Sequence, residues 1–189
     1  MIDLHFVTPD LAVGASFPMA AAARLAGQHG IDRVVDVRVE ARDDERVLRV
    51  HGIELLHLPT QDCCAISPSH IREGVAFALE GMERGERILI HCQYGIGRSA
   101  LLALCVLVAR GDGPLDAMAR LKEARPAVSP GPEQLAAFVE YCRSVRTEKG
   151  ASWPVPPVDR LGAIAWRHLL REDGTLDPSR ARAASTRRW

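Results

Sequence analysis

Apolar residues fall in short runs separated by turn residues, and the period of each run predicts its form. LAVGASF reads as a short strand and turn, AAARLAGQHG as a helix closed by Gly30, and DRVVDVRV as a buried strand. Asp43 to His51 reads as a short helix stopped by Gly52, IELLHLP as a strand ended by Pro59, and TQDCCAISPS as a loop. Ser69 is placed to cap a helix through HIREGVAFALEGMERG, which Gly74 and Gly81 weaken. RILIHC is a third buried strand. SALLALCVLVARG is apolar on nearly every face, so that helix should be central. PLDAMARLKEA and EQLAAFVEYCRSVR are further helices, with the turn-rich RPAVSPGP between them. Strands alternating with helices imply an α/β fold, a mostly parallel central sheet flanked by helices on both faces.

Past Arg143 the pattern changes. KGASWPVPP resembles a linker, VDRLGAIAWRHLLRE an amphipathic helix, and DGTLDPSRARAASTRRW a loose end. The chain therefore divides into a principal domain, residues 1–145, and a C-terminal helical extension, residues 146–189. All three tryptophans, Trp153, Trp166 and Trp189, lie in the extension. They either pack it back onto the domain or, in a basic tail, dock a partner.

Composition narrows the class. The 189 residues are 47% hydrophobic and 25% charged with zero formal net charge, which gives no global pull toward nucleic acid or membranes. The charge is uneven: residues 1–142 carry 14 Lys and Arg against 19 Asp and Glu, and residues 143–189 carry 10 against 5. The five cysteines, Cys63, Cys64, Cys92, Cys105 and Cys142, are odd in number and lack zinc-type spacing. That suits a reduced, cytoplasmic protein. The N-terminus lacks the pattern of a signal peptide, and the most apolar window, Ala100 to Ala109, is far short of the roughly 20 residues of a membrane span. His5, His29, His51, His57, His70 and His168 are scattered, with no H-x-H or H-E-x-x-H pair, so neither a metal nor another cofactor is expected.

Against this background HCQYGIGRS, His91 to Ser99, stands out: a cysteine, two glycines and an arginine between two buried elements. A loop leaving a parallel strand and entering a helix sits where α/β proteins bind ligands. Its backbone N–H groups can turn inward, and the helix beginning near Gly97 adds free N–H groups and a positive dipole end. Gly95 and Gly97 relax the backbone, and the product is a nest for a tetrahedral oxyanion. Arg98 would return over the anion with its two-pronged guanidinium. The same field lowers the pKa of a cysteine below it, making Cys92 a nucleophile at neutral pH, with the Ser99 hydroxyl beside the sulfur.

H-C-x5-R-S resembles the signature of the cysteine-based protein tyrosine phosphatase superfamily, and the flanks are most similar to its small, atypical dual-specificity branch. LAVGAS resembles the early "LYIGS" strand, PTQDCCAISPSHI the general-acid loop and next helix, and SPGPEQL the "SPNxGFxxQL" segment. The resemblance covers roughly residues 4–145 and stops at the extension. It implies metal-free phosphoryl transfer in two steps. Cys92 would form a phosphocysteine, and the amides of Gln93, Tyr94, Gly95, Ile96, Gly97 and Arg98, with the Arg98 side chain, would bind the equatorial oxygens. Ser99 would help the thiolate leave, His91 would support the loop, and a general acid would protonate the leaving oxygen. Asp62, about thirty residues upstream after a strand, matches the family's acid, although Thr60-Gln61 stands where a Pro or small residue often precedes it. Asp36 is the alternative, on a strand where a buried Asp is more often structural.

Other readings stay open. Two readings of Cys63 and Cys64 stand side by side: a redox disulfide partner for Cys92, or plain loop residues. Cys105 and Cys142 lie on apolar helix faces and read as core. Arg24, Arg33, Arg38, Arg42 and Arg49 read as solvated or paired surface charges, with Arg38, at a strand end, the one placed to face the cleft. The short stretch before Asp62 leaves no room for the recognition loop of the deep-pocket, tyrosine-specific relatives, so a shallower pocket is expected, open to phosphotyrosine with phosphoserine and phosphothreonine in reach. QYGIG carries no lysine or extra arginine for a polyanionic head group. The rivals are a lipid or small-molecule phosphatase of the same fold, a non-catalytic phosphate-binding module, and a rhodanese-type sulfurtransferase.

Overall fold

Every residue of one helix is buried, and the sheet is built around it. That helix, α4 (Arg98–Ala109), carries ten apolar residues after Arg98 and Ser99, and none faces solvent. Burying each large aliphatic side chain contributes about 1.5–3 kcal/mol, which is why this segment takes the central place. The computed structural model describes residues 2–171, 175 and 177–180. In chain order the elements are β1 (Leu4–Thr8), β2 (Leu11–Gly14), a 3-10 turn and α1 (Ala22–His29), β3 (Ile31–Arg38), α2 (Glu45–Val50), β4 (Glu54–Thr60), α3 (Pro68–Glu83) and β5 (Arg87–His91). After α4 come α5 (Pro114–Ala124), α6 (Pro132–Lys149), α7 (Val158–Ala165) and a last 3-10 turn, Arg167–Leu169.

The five strands form one sheet in the order β1-β2-β5-β3-β4. All neighbours are parallel except β1 and β2, an antiparallel hairpin. Helices α1 and α2 pack on one face around Leu25, Val34, Leu48 and Leu89. Helices α3 to α6 cover the other, with α4 against β2 and β5. This is the expected α/β architecture. β5 lies mid-sheet, so the loop after His91 opens at the C-terminal edge of the parallel strands.

Several elements differ from their expected form. β1 is an edge strand that the sequence pattern did not predict, and only Val7 in it is fully buried. β4 runs through Pro59 to Thr60; it is the edge strand beyond β3, so the missing Pro N–H costs no ladder bond. α3 is capped by Ser67 rather than Ser69: the Ser67 Oγ accepts from the His70 amide at 3.2 Å, and Pro68 occupies the first helical position. The glycines that weaken α3 also let it pack closely. A Cβ at Gly74 would lie 2.8 Å from Leu102, and one at Gly81 would lie 2.7 Å from Arg33.

Two arginines expected at the surface are buried. Arg33, 2% exposed, meets Glu54, Glu80 and Glu86 and lies over the Phe77 ring. Arg38, 6% exposed, binds Asp36 and Asp43. The Arg33 carboxylates come from distant elements, whereas those of Arg38 are only two and five residues away, and the burial of the strand that carries it is what takes it inside. α6 continues past residue 145 to Lys149 and closes at Gly150, whose φ is +64°. α7 packs on α5 and α6, with Leu161 and Ala165 fully buried and Trp153 and Trp166 against the core. Most of the expected loose end, and Trp189 with it, lies outside the described residues. No helix among the described residues is long and apolar enough to cross a membrane.

Candidate active site

The loop between β5 and α4 is shaped by what holds its carbonyls. The Gln93 carbonyl accepts from the Ser16 amide at 3.2 Å. Those of Tyr94 and Gly95 accept from the Arg125 guanidinium at 3.0 and 2.8 Å. The Ile96 carbonyl accepts from the Ser129 amide at 3.1 Å. Four successive carbonyls are thus tied to groups around the loop, which turns the N–H side of these peptides toward its interior. Gly95 is required twice over: its φ is +67°, and a Cβ would lie 2.5 Å from the Gly14 backbone. Gly97 is required for space rather than conformation, because a Cβ would lie 2.7 Å from the Gln134 side chain.

Cys92 sits at the base of this loop, 3% exposed. Its Sγ accepts from the Gly95 amide at 3.2 Å and lies 3.3 Å from the Ser99 Oγ. Burial by itself pushes its pKa up, but the Ser99 hydroxyl and the loop amides outweigh burial and leave it below the ordinary thiol value. The other buried thiols lack these donors. Burial pushes Cys142 up to about 12 and Cys105 well above the usual value. Both are core residues, as expected. All five cysteines are free thiols.

Arg98 is 1% exposed and held from several sides. Its terminal nitrogens donate to both Glu40 carboxylate oxygens at 2.8 and 2.7 Å and to the Thr60 carbonyl at 2.8 Å. Asp62 Oδ1 lies 3.0 Å from its Nη2. Its Nε is buried with no hydrogen-bond partner. The Arg98 hydrogen bond holds the Glu40 carboxyl below the usual range. Asp62 stands on the turn after β4 and keeps 56% of its side chain exposed. The next residue, Cys63, has φ +63°, a left-handed conformation uncommon outside glycine. Asp62, Cys63, Cys92, Tyr94, Ile96, Gly97, Ser129, Gly131 and Gln134 line one open pocket of about 90 Å³.

Beneath the loop, His91 Nε2 is 2.8 Å from Asp43 Oδ2, and its ring packs on Phe17 at 5.1 Å. Asp36, Asp43 and His91 come together, all buried, in an arrangement that could hold a cation. The Arg38 guanidinium already supplies that cation, donating to Asp36 at 2.8 and 2.9 Å and to Asp43 at 2.6 Å. Asp36 is fully buried in this network and does not line the pocket, unlike Asp62. Asp36→Asn is expected to cost about 3–5 kcal/mol of stability by leaving Arg38 part-paired; a urea midpoint close to wild type would refute this.

The structure brings together Cys92, Arg98, Ser99, Asp62 and the 93–97 backbone, all singled out in the sequence. It adds Glu40, Arg125 and Gln134, which sequence reasoning missed. Gln134 is 2% exposed, accepts from the Gly131 amide at 2.9 Å and donates to the Cys64 carbonyl at 3.1 Å, joining the acid-bearing turn to α6. Only the SPGPEQL resemblance signalled it.

Fold and loop together define the cysteine-based phosphatase class. The family model of the dual specificity phosphatase catalytic domain matches residues 15–144, and the chain belongs to that family. It is 30% identical over 133 residues to human dual specificity protein phosphatase 16, covering 69% of this chain and 19% of that protein. It is 28% identical over 96 residues to mouse phosphatidylglycerophosphatase and protein-tyrosine phosphatase 1, half of each chain. A crystal structure of PTPMT1 superposes with a TM-score of 0.72 at 23% identity, covering 78% of this chain and 98% of that one.

Proposed function

We propose that the chain is a metal-independent phosphatase that hydrolyses phosphate monoesters through a phosphocysteine. The observation that carries this is the Cys92 thiol, buried yet lowered in pKa by the Ser99 hydroxyl and by the loop amides that would cradle the phosphate. The thiolate attacks phosphorus, and the bond to the leaving oxygen breaks as Asp62 protonates it. Water, deprotonated by the Asp62 carboxylate, then attacks the phosphocysteine and releases phosphate and thiolate. Amides 93–98 and Arg98 bind the three equatorial oxygens, and the Arg98 Nε is available for one of them. Ser99 donates to the departing sulfur, and His91, held by Asp43, supports the start of the loop.

The substrates are phosphotyrosine and, in an open pocket, phosphoserine and phosphothreonine. The pocket wall holds one acid, Asp62, and no lysine or arginine, which disfavours polyanionic esters. The mouse relative's name supports a second reading, a phospholipid monoester, which vesicle-borne phosphatidylglycerophosphate would test. The catalytic machinery falls within residues 1–145, residues 146–189 form an extension whose basic tail docks a partner, and the protein works in the reducing cytoplasm.

The test is hydrolysis of para-nitrophenyl phosphate in EDTA, which should proceed undiminished; activity restored only by added metal would overturn the reading. Asp62→Asn should lower kcat by about 100- to 1,000-fold, most with poor leaving groups. An Asp62→Asn loss equal for good and poor leaving groups would remove Asp62 as the acid.

A further inference from the structure

Among the described residues, the extension meets residues 125–131, the segment beside the catalytic loop. Within it, two alternate carbonyls are held, one by the extension and one by Lys122 of α5. Pro130 O accepts from the Trp166 Nε1–H at 2.9 Å. Val128 O accepts from Lys122 Nζ at 2.6 Å, and that same nitrogen lies 2.7 Å from His168 Nδ1. Lys122 is 1% exposed, so its ammonium depends on these two partners. Trp166 is set by its own helix: its ring lies against Gly162, where a Cβ would be 2.6 Å from the ring.

The opposite side of the segment faces the phosphate loop. The Ser129 amide, between the two gripped carbonyls, donates to Ile96 O at 3.1 Å. Ser129 and Gly131 line the pocket beside Cys92. Arg125, at the segment's start, holds the Tyr94 and Gly95 carbonyls. Peptide units are planar, so fixing the Pro130 carbonyl fixes the Gly131 amide, which donates to the pocket-lining Gln134 Oε1 at 2.9 Å, and fixing the Val128 carbonyl fixes the direction of the Ser129 amide. That amide in turn orients the Ile96 peptide, part of the anion nest.

We propose that Trp166 and the His168–Lys122 pair are positioning residues for the phosphate loop, acting through residues 128–131. Neither touches substrate. The proposal deepens the phosphatase reading and rests on it for substrate, but its readout does not require turnover. The extension then serves catalysis by holding the amides that bind phosphate and lower the Cys92 pKa.

The experiment compares full-length Trp166→Phe and His168→Ala with Leu161→Val, a core change in the same helix that leaves the Pro130 contact alone. Three quantities are read: the thermal midpoint, the pH profile of Cys92 alkylation by iodoacetamide, and protection of that thiol by inorganic phosphate. Trp166→Phe keeps an aromatic ring but loses the donor. It should weaken phosphate protection about tenfold and move the alkylation midpoint up toward that of an ordinary thiol. His168→Ala should do the same to a smaller degree. Leu161→Val should lower the thermal midpoint and leave both thiol readouts at wild-type values. If all three variants change only the thermal midpoint, or change the thiol readouts in parallel with it, the extension is merely structural and the proposal falls. Wild-type protein that fails to turn over para-nitrophenyl phosphate would overturn the phosphatase reading instead, while the alkylation comparison would still decide this one.

Discussion

Cys92→Ser should abolish turnover of para-nitrophenyl phosphate, by about 10,000-fold or more, while leaving the fold and phosphate binding in place. Serine is close in shape to cysteine, and the 3% exposed site can hold it without repacking. The loop amides and Arg98 would still form the anion nest. What disappears is the nucleophile: a thiol lowered in pKa supplies a thiolate at neutral pH, whereas a hydroxyl in the same nest stays protonated. The expected loss is of the size seen when an enzyme loses its covalent nucleophile. In the wild type, iodoacetamide should label Cys92 with a pH midpoint below that of a free thiol, since the shift is downward. Below that midpoint the thiolate is protonated and labelling should fall. Substantial turnover by Cys92→Ser, or a midpoint at the ordinary thiol value, would overturn the assignment.

Arg98→Lys should lower kcat/KM about a thousandfold, although it keeps the charge. The Arg98 fork makes two parallel bonds to Glu40, a third to the Thr60 carbonyl and a contact with Asp62, and still leaves Nε for phosphate. A lysine ammonium offers three donors at one point and cannot span Glu40, Thr60 and a phosphate oxygen together. Phosphate should then protect Cys92 from alkylation poorly. Loss of less than tenfold would show that a point charge suffices and that the Glu40 fork is incidental.

The parts of the site that were legible in sequence are those encoded within one local stretch. Cys92, Gly95, Gly97, Arg98 and Ser99 stand within eight residues, and a strand, a turn and a helix follow from the apolar runs around them. Asp62 was placed by its position after a strand and by family resemblance. Glu40 and Arg125 were not legible. Glu40 belongs to a surface-like charged stretch, and only the parallel pairing of β3 with β4 and β5 brings it to Arg98. Arg125 ends a helix, where a basic residue is commonplace, yet it is 3% exposed and holds two loop carbonyls. Buried Arg33 and Arg38 read as surface charges in the sequence because an arginine is tolerated inside only when carboxylates meet it: the partners of Arg33 come from other elements, and those of Arg38, though near in sequence, enclose it only once β3 is buried in the sheet.

The sequence by itself determined the α/β alternation, the central place of α4 and the anion-binding loop, because periodicity, capping and glycine conformation act over a few residues. The tertiary structure alone decided which carbonyls the loop must give up, which carboxylate holds Arg98, and that Trp166 grips Pro130. Those interactions join residues 30 to 60 positions apart, and hydrogen bonds of that span leave no periodic trace in the chain; they exist only once burial has brought the elements together.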